Sequence, residues 1–344
     1  MKKVSIIGNF AFGKPSFNGQ TIKTRIVASE LERIFGTGNV RKVDTDGGIS
    51  VVLRLVVQLL ACLWGSRNVI ILPAQNGIKV VLPLLVVYNL LFRRKLHYVV
   101  IGGWLPEMLR SKRWLLPFAK RLHMIYPETA GMKASLHELG LKHVEVMPNC
   151  KPLHILNADN LQGYNQHPMR FCIFSRIVRT KGIEDAVEAV RKANEMAGST
   201  IATLDIYGSV DEKQWFERLQ ASFPSYVAYK GCVAFDKSVD TLKTYTALLF
   251  PTFYPGEGLA GTVIDAFAAG IPVFASDWHD NASIVRDGVT GYIFPVHATD
   301  RLASILTSLY ANQDVLVPMK LHCIDEAKVF LPENAIKILA AEIV

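Results

Sequence analysis

The stretch LFPTFYPGEGLAGTVIDAFAAGIPVFAS, residues 249–276, decides the fold. An apolar run, Leu248 to Phe250, stops at Pro251, and a loop with Gly256, Gly258 and Gly261 follows. The spacing predicts a helix over Thr262 to Ala269, capped at Gly270 and barred from continuing by Pro272. Val273, Phe274 and Ala275 then read as a buried strand. Glycines ahead of a helix let backbone N–H groups approach a ligand, and a helix start favours negative charge, so the stretch is built to hold phosphate. Glu257 lies in the loop and Asp265 about a turn into the helix. Carboxylates repel phosphate but accept hydrogen bonds from sugar hydroxyls. Together these features point to a nucleotide-sugar site. The plainer reading is an ordinary strand–helix–strand turn of an α/β protein.

A second loop carries matching chemistry. After a strand from Arg170 to Phe174, Arg176 and Lys181 stand five positions apart, ahead of a helix whose Ile183, Ala186, Val187 and Val190 face inward. Two cations there can neutralise a diphosphate; solvated surface charge is the alternative. Further strands are expected at Leu204–Tyr207, ending in Gly208-Ser209, and at Tyr229–Val233. At the other end of the chain, strand 4–8 leads into a loop with Gly13, Pro15 and Gly19. A helix from Gln20 to about Ile34 then sets Ile22, Ile26, Leu31 and Ile34 on one face.

These motifs resemble the retaining GT-B glycosyltransferases of group 1, the family 4 type common in bacterial polysaccharide synthesis. Members carry two glutamates separated by seven residues, in a context like E-G-x-G-x-P-x-x-E-A-x-A-x-G-x-P-V. Glu257 and Asp265 have that spacing, and Gly258, Ala266, Ala268, Gly270, Pro272 and Val273 match. The departures are Asp265 for the second glutamate, Ala260 for a glycine (with Gly261 beside it) and Thr262 for a proline. Lys181-Gly182 fits the family's G-R-x-x-x-x-K-G, with Ser175 in place of the first glycine. DGVTGYIF, 287–294, resembles its D-G-x-x-G-x-L hairpin. The likeness covers 168–344 by motif and 1–167 only by pattern; GGW, 102–104, stands where many members have a histidine loop.

The resemblance implies two doubly wound Rossmann-like α/β domains facing a cleft. An acceptor-side domain would span 1–160, with a terminal helix at about 325–344 packing back on it, and a donor domain 168–324. It implies catalytic roles for Arg176, Lys181 and Glu257. Donor contacts are expected from Gly19, Gln20, Gly208, Val233, Gly258, Leu259, Gly261, Thr262 and Asp265. It also implies retention at the anomeric carbon, a UDP- or GDP-linked sugar, and a lipid-linked acceptor. No metal and no cofactor are expected, since two cations can take the charge-neutralising role of magnesium. A nucleotide-sugar epimerase or phosphorylase on the same fold, and a non-catalytic binding subunit, are the alternatives.

Composition bounds the rest. At 344 residues, half of them apolar and a fifth charged, the chain suits two globular α/β domains. Five scattered cysteines without a C-x-x-C pair read as reduced thiols, and the start MKKVSIIGNF is too briefly apolar for a signal peptide, so a cytoplasmic protein is expected. Residues 1–150 hold 21 Lys/Arg and 8 Asp/Glu, a balance of +13, against −5 for the remainder. Such segregation points to an anionic partner. With no recognised nucleic-acid motif, an anionic membrane surface is the expected one, met by Arg93, Arg94, Lys95 and the run Arg110 to Arg121, with apolar help from Trp114, Leu115, Leu116 and Phe118. The apolar segments 50–64 and 78–92 contain uncharged runs of only 12 and 13 residues, short of the about 18–20 that a span needs. They are expected to be buried helices. The acidic pair Asp44 and Asp46 reads as a turn after a strand.

Overall fold

The computed structural model describes residues 2–13, 19–46, 51–162 and 165–343, without the side chains of 51–54. Pro15 and Gly163 lie outside the described residues. The chain divides into two units, Met1–Pro152 with Phe330–Val344, and Leu153–Val329.

Unit 1 runs β1 (Lys2–Gly8), α1 (Gly19–Phe35), β2 (Val40–Asp44), α2 (Val51–Gly65), β3 (Ser66–Leu72), α3 (Gln75–Phe92), β4 (Lys95–Val99), α4 (Leu105–Ser111), α5 (Leu116–Ala119), β5 (Met124–Tyr126) and α6 (Ala130–Glu138). Its five strands are parallel in the order β2-β1-β3-β4-β5. The inner strands, buried on both faces, carry near-continuous apolar runs such as Val69 to Leu72. Segment 143–147 forms no strand and touches β5 by one bridge, Val144 to Ile125. The inward face of α1 is Thr21, Lys23, Thr24, Val27, Ala28 and Leu31, while Ile34 is 40% exposed. Lys23 can be buried because its Nζ pairs with Glu128 at 2.6 Å and donates to the Val100 carbonyl. The expected turn is built by Asp44, whose carboxylate accepts the N–H groups of Phe10, Phe12 and Asp46.

Unit 2 runs β6 (Met169–Phe174), α7 (Ile183–Ala197), β7 (Ala202–Tyr207), α8 (Lys213–Ala221), β8 (Val227–Gly231), α9 (Ser238–Leu242), β9 (Ala247–Phe250), α10 (Gly261–Ala268), β10 (Val273–Ser276), α11 (Asn281–Ile284), β11 (Gly291–Phe294), α12 (Thr299–Ala311) and α13 (Leu316–Ala327). Its parallel sheet has the order β11-β10-β9-β6-β7-β8. In this unit's own strand count that is the doubly wound Rossmann order. The 287–294 motif is a turn into a parallel strand rather than a hairpin: the Gly288 N–H donates to the Gly291 carbonyl, and β11 lies parallel to β10.

The expected single helix over 325–344 is broken into the end of α13, α14 (Pro332–Ala335) and α15 (Lys337–Ile343). Pro332 explains the break, because proline belongs in a first turn and not in a helix interior. Ala335, Ile336, Leu339 and Ile343 join the core of unit 1. The α3 helix also departs from expectation, since at 18 residues it is long and apolar enough, by length and composition, to cross a membrane. Lys79 is one charge near its start and does not disqualify it. In this fold, however, Ile78, Val81, Leu82, Leu85 and Val86 are packed into the unit 1 core.

Candidate active site

In a doubly wound sheet, ligands bind beyond the carboxyl ends of the strands where the strand order reverses. In unit 2 that point lies between β6 and β9, which pair through Phe171 with Ala247 and Cys172 with Leu248. The loops leaving those two strands are the two singled out in the sequence. Glycines bring them together. Gly182 has φ of +70°, and a Cβ there would lie 2.0 Å from the Pro251 carbonyl oxygen, so only glycine lets the β6 loop lean on the β9 loop. Gly208, at φ of +141°, would set a Cβ 1.7 Å from the Ser175 carbonyl oxygen. Gly208 thus holds the β7 loop against the β6 loop.

The charged groups meet there. Lys181 Nζ lies 2.6 Å from Glu257 Oε2, with side-chain exposures of 10% and 7%. The Thr252 hydroxyl donates to the same oxygen at 2.7 Å. Arg176 is half exposed and donates from Nη1 to Asp211 Oδ2 at 3.2 Å. Both cations face the Tyr254 ring, Lys181 Nζ at 5.0 Å and Arg176 Cζ at 5.5 Å from its centroid. Burial works against the Arg176 charge, but Tyr254 and Asp211 more than offset it and its pKa is raised. Tyr254 is fixed in turn by its N–H to the Thr252 hydroxyl and by its carbonyl, which accepts the Trp278 indole N–H at 2.8 Å.

The start of α10 completes the site. Its N-cap is Ala260, which has no side chain to accept the first N–H groups. Thr262 Oγ1 is buried and has no hydrogen-bond partner among the described residues. A helix terminus without a side-chain cap and with an unpartnered hydroxyl, following the loop whose Glu257 and Tyr254 engage Lys181, suits a phosphate group. Asp265 sits one turn along, 3% exposed, and Leu259 is equally buried. Gly258 and Gly261 lie at the loop's end and the helix start.

Arg176, Lys181, Glu257, Gly208, Gly258 and Leu259 therefore share the carboxyl-end loops of unit 2, and Gly261, Thr262 and Asp265 the helix that follows. Val233 is displaced from its expected strand: β8 ends at Gly231, whose φ of +77° turns the chain, and Val233 follows in the loop. Gly19 and Gln20 belong to unit 1, where they begin α1 and Gln20 Nε2 donates to the Leu72 carbonyl. There they stand at the reversal point between β1 and β3, and Gln20, Asn9, Gln75 and Asn76 line a cavity of about 390 Å³. Sequence reading passed over Tyr254, Thr252 and Asp211. A signal existed for the first, an aromatic inside a glycine-rich loop; Asp211 becomes visible only when β6 and β7 pair.

Two parallel doubly wound units, the second with a phosphate-suited site at its reversal point, define the GT-B architecture. Comparison with known proteins agrees. Residues 168–312 match the model of the family described as Glycosyl transferases group 1. The chain is similar to the amylovoran biosynthesis glycosyltransferase AmsK of Erwinia amylovora, 23% identical over 220 residues, which is 63% of this chain and 52% of that protein. It is also similar to an uncharacterized glycosyltransferase of Methanocaldococcus jannaschii, 22% identical over 49% of this chain and 42% of that one. The chain thus spans about half the length of these curated relatives. Among solved structures, Anabaena HepE in complex with UDP and glucose superposes with a TM-score of 0.72 at 14% identity, covering 99% of both chains. The lipopolysaccharide outer core galactosyltransferase WaaB gives 0.72 at 15% identity over 100% of this chain and 99% of that one. The pneumococcal O-GlcNAc transferase GtfA, in complex with UDP and GlcNAc, gives 0.65 at 19% over 84% and 59%. The match to the group 1 glycosyltransferase model thus falls within unit 2, and the solved structures that the chain resembles share the GT-B fold.

Proposed function

We propose that the protein is a retaining, metal-independent glycosyltransferase. It moves a sugar from a nucleoside diphosphate to a hydroxyl of a lipid-linked glycan during surface-polysaccharide synthesis, working peripherally at the inner face of the cell membrane. The observation that carries the reading is the convergence of Arg176, Lys181 and the Ala260-capped start of α10 at the reversal point of the unit 2 sheet. A diphosphate there meets two cations, two helix N–H groups and the Thr262 hydroxyl, which stabilise the negative charge that grows as the sugar departs. Glu257 has one oxygen committed to Lys181 and Thr252, so it both positions that cation and offers Oε1 toward a sugar hydroxyl. Asp265 is assigned to the ribose. The departing phosphate takes the acceptor proton on the same face of the sugar, which needs no protein base and gives retention. The cations stand in for a metal.

The UDP bound by HepE and GtfA favours uridine over guanosine in the donor. The names of AmsK and WaaB, amylovoran and the lipopolysaccharide core, favour a surface glycan as product. A panel of UDP- and GDP-sugars, assayed for nucleoside diphosphate release with and without lipid-linked acceptor, tests the reading. Release that depends on acceptor, persists in a chelator and yields an anomeric configuration equal to the donor's is expected. Release insensitive to acceptor would favour a hydrolase or epimerase, and an inverted product would refute retention.

A further inference from the structure

The helix layer formed by α2, α3 and α5 has a surface that the fold leaves unexplained. The α3 helix packs between the other two. Its inward residues belong to the core, yet its other side exposes Val80, Val87, Leu90 and Leu91, the last at 82%. Val80, Val87 and Leu91 recur at helical spacing, so they form one exposed stripe, while Leu84 between them packs against the core. The neighbouring helix adds Val57 and Trp64, 76% exposed, and the Trp64 ring meets Phe92 edge-on at 6.2 Å. Trp114, just before α5, is half exposed. Soluble surfaces seldom leave such a contiguous apolar area open without a partner.

Charge identifies the partner. From Val51 to Ile125 the chain has eleven Lys/Arg and a single acid, Glu107. Cations sit beside the apolar protrusions in the chain: Arg93 and Lys95 follow Leu91, and Lys112 and Arg113 precede Trp114; all four are exposed. A second copy docking through this face would press like charge against like, which counts against a symmetric dimer. An anionic lipid surface accepts both features, cations at the headgroups and Leu, Val and Trp at the acyl boundary. Docking rather than spanning suits α3 here, because Ile78, Val81, Leu82, Leu85 and Val86 are already packed into the unit 1 core.

We propose that the α2–α3–α5 face of unit 1 is a membrane-docking surface that lies in the interface of an anionic bilayer, with the Val80-to-Leu91 stripe as its inserted edge. This deepens the membrane part of the reading above and moves the insertion away from the run 110–121. There Leu115 is core and Leu116 and Phe118 pack against it, leaving Trp114 alone.

The test is flotation of the full chain with phosphatidylglycerol-containing vesicles and with neutral phosphatidylcholine vesicles, at low and high salt, without any sugar donor. The wild type should bind the anionic vesicles at low salt, weaken steeply with salt, and bind neutral ones poorly. V87E/L91E, at exposed positions, should lose binding about tenfold or more while melting like the wild type. R93A/K112A/R113A should lose the preference for anionic lipid. Wild-type binding that is absent, indifferent to lipid charge or unchanged in V87E/L91E overturns the proposal. So does a concentration-dependent dimer that V87E/L91E dissolves, since the face would then be a protein interface. Because no donor is present, any of these failures leaves the nucleotide-sugar reading untouched.

Discussion

Breaking the Lys181–Glu257 pair separates what these residues do for folding from what they do for the reaction. In Lys181→Met the Glu257 carboxylate keeps only the Thr252 hydroxyl on that oxygen, in a setting where it is 7% exposed. Removing one member of a fully buried pair costs about 3–5 kcal/mol, and the 10% exposure of Lys181 places this case at the lower end, about 3 kcal/mol. For a unit of this size that corresponds to a melting point lower by roughly 6–12 °C. Glu257→Gln should cost less, since Gln can keep the Thr252 bond and Lys181 keeps the Tyr254 and Phe250 faces, at 5.0 and 5.7 Å. The double variant leaves no buried charge unpaired, so it should recover much of the stability lost by Lys181→Met, with a coupling of about 2 kcal/mol. Turnover should behave differently. Losing one donor to a developing anion costs on the order of a hundredfold, and the double variant should be no faster than the slower single one. Thermal melts and nucleoside diphosphate release on all four proteins complete the cycle. If Lys181→Met melts within about 2 °C of wild type, the pair is not desolvated as the geometry requires. If the double variant regains turnover, the pair is only a scaffold.

Arg176→Ala should also cut turnover about a hundredfold, but without loss of melting temperature, because its side chain is 52% exposed and its partner Asp211 stays solvated. A matching loss of stability would make Arg176 structural. Asp265→Asn should weaken nucleoside diphosphate binding about tenfold or more in titration calorimetry, while equal affinity would remove Asp265 from the ribose. Asp265→Glu should cost stability, since the side chain is buried to 3% and an added methylene strains it by about 1–3 kcal/mol. Lys320 is fully buried, its Nζ donates to the Tyr245 carbonyl, and burial pushes its pKa down to about 7. The folded state then releases its proton near pH 7 while the unfolded chain holds one up to the ordinary lysine value. Stability should therefore rise with pH above about 7, by up to about 1.4 kcal/mol per pH unit from this group. Lys320→Met should abolish that share of the slope in urea melts taken at a series of pH values, and an unchanged slope would refute it.

What the sequence disclosed and what it hid follow from the range of the interactions involved. The loop 251–260 and the helix after it were legible because glycine, proline and helix periodicity act within a few residues. Gly270, at φ of +63°, does cap the end of α10, as its position implied. The face of α1 departs from expectation at Ile34, and Lys23 joins it, for the opposite reason. Lys23 is buried only because Glu128, 105 positions away, meets it, and no local pattern records that pairing. The same holds for α3, whose hydrophobicity read as a buried helix: the stripe toward the core is real, and the stripe facing outward has to be explained separately.

The site shows this difference most sharply. Arg176, Lys181 and Glu257 were chosen for their residue types and for their places in two loops, and both loops do lie at the reversal point of the sheet. Their mutual arrangement was not legible, because Lys181 and Glu257 are 76 residues apart and meet only where β6 and β9 pair. That meeting changes the chemistry assigned to them. A free lysine would offer its full charge to a phosphate, whereas one held by Glu257 at 2.6 Å offers N–H donors and a partly neutralised charge. In the proposed reaction the half-exposed Arg176 would then carry the larger share of the electrostatic work; Lys181 and Arg176 both lie over the Tyr254 ring. In the proposed reaction, a site arranged in this way would hold the departing diphosphate through oriented donors at least as much as through net positive charge, and the uncapped first turn of α10 would serve the same end.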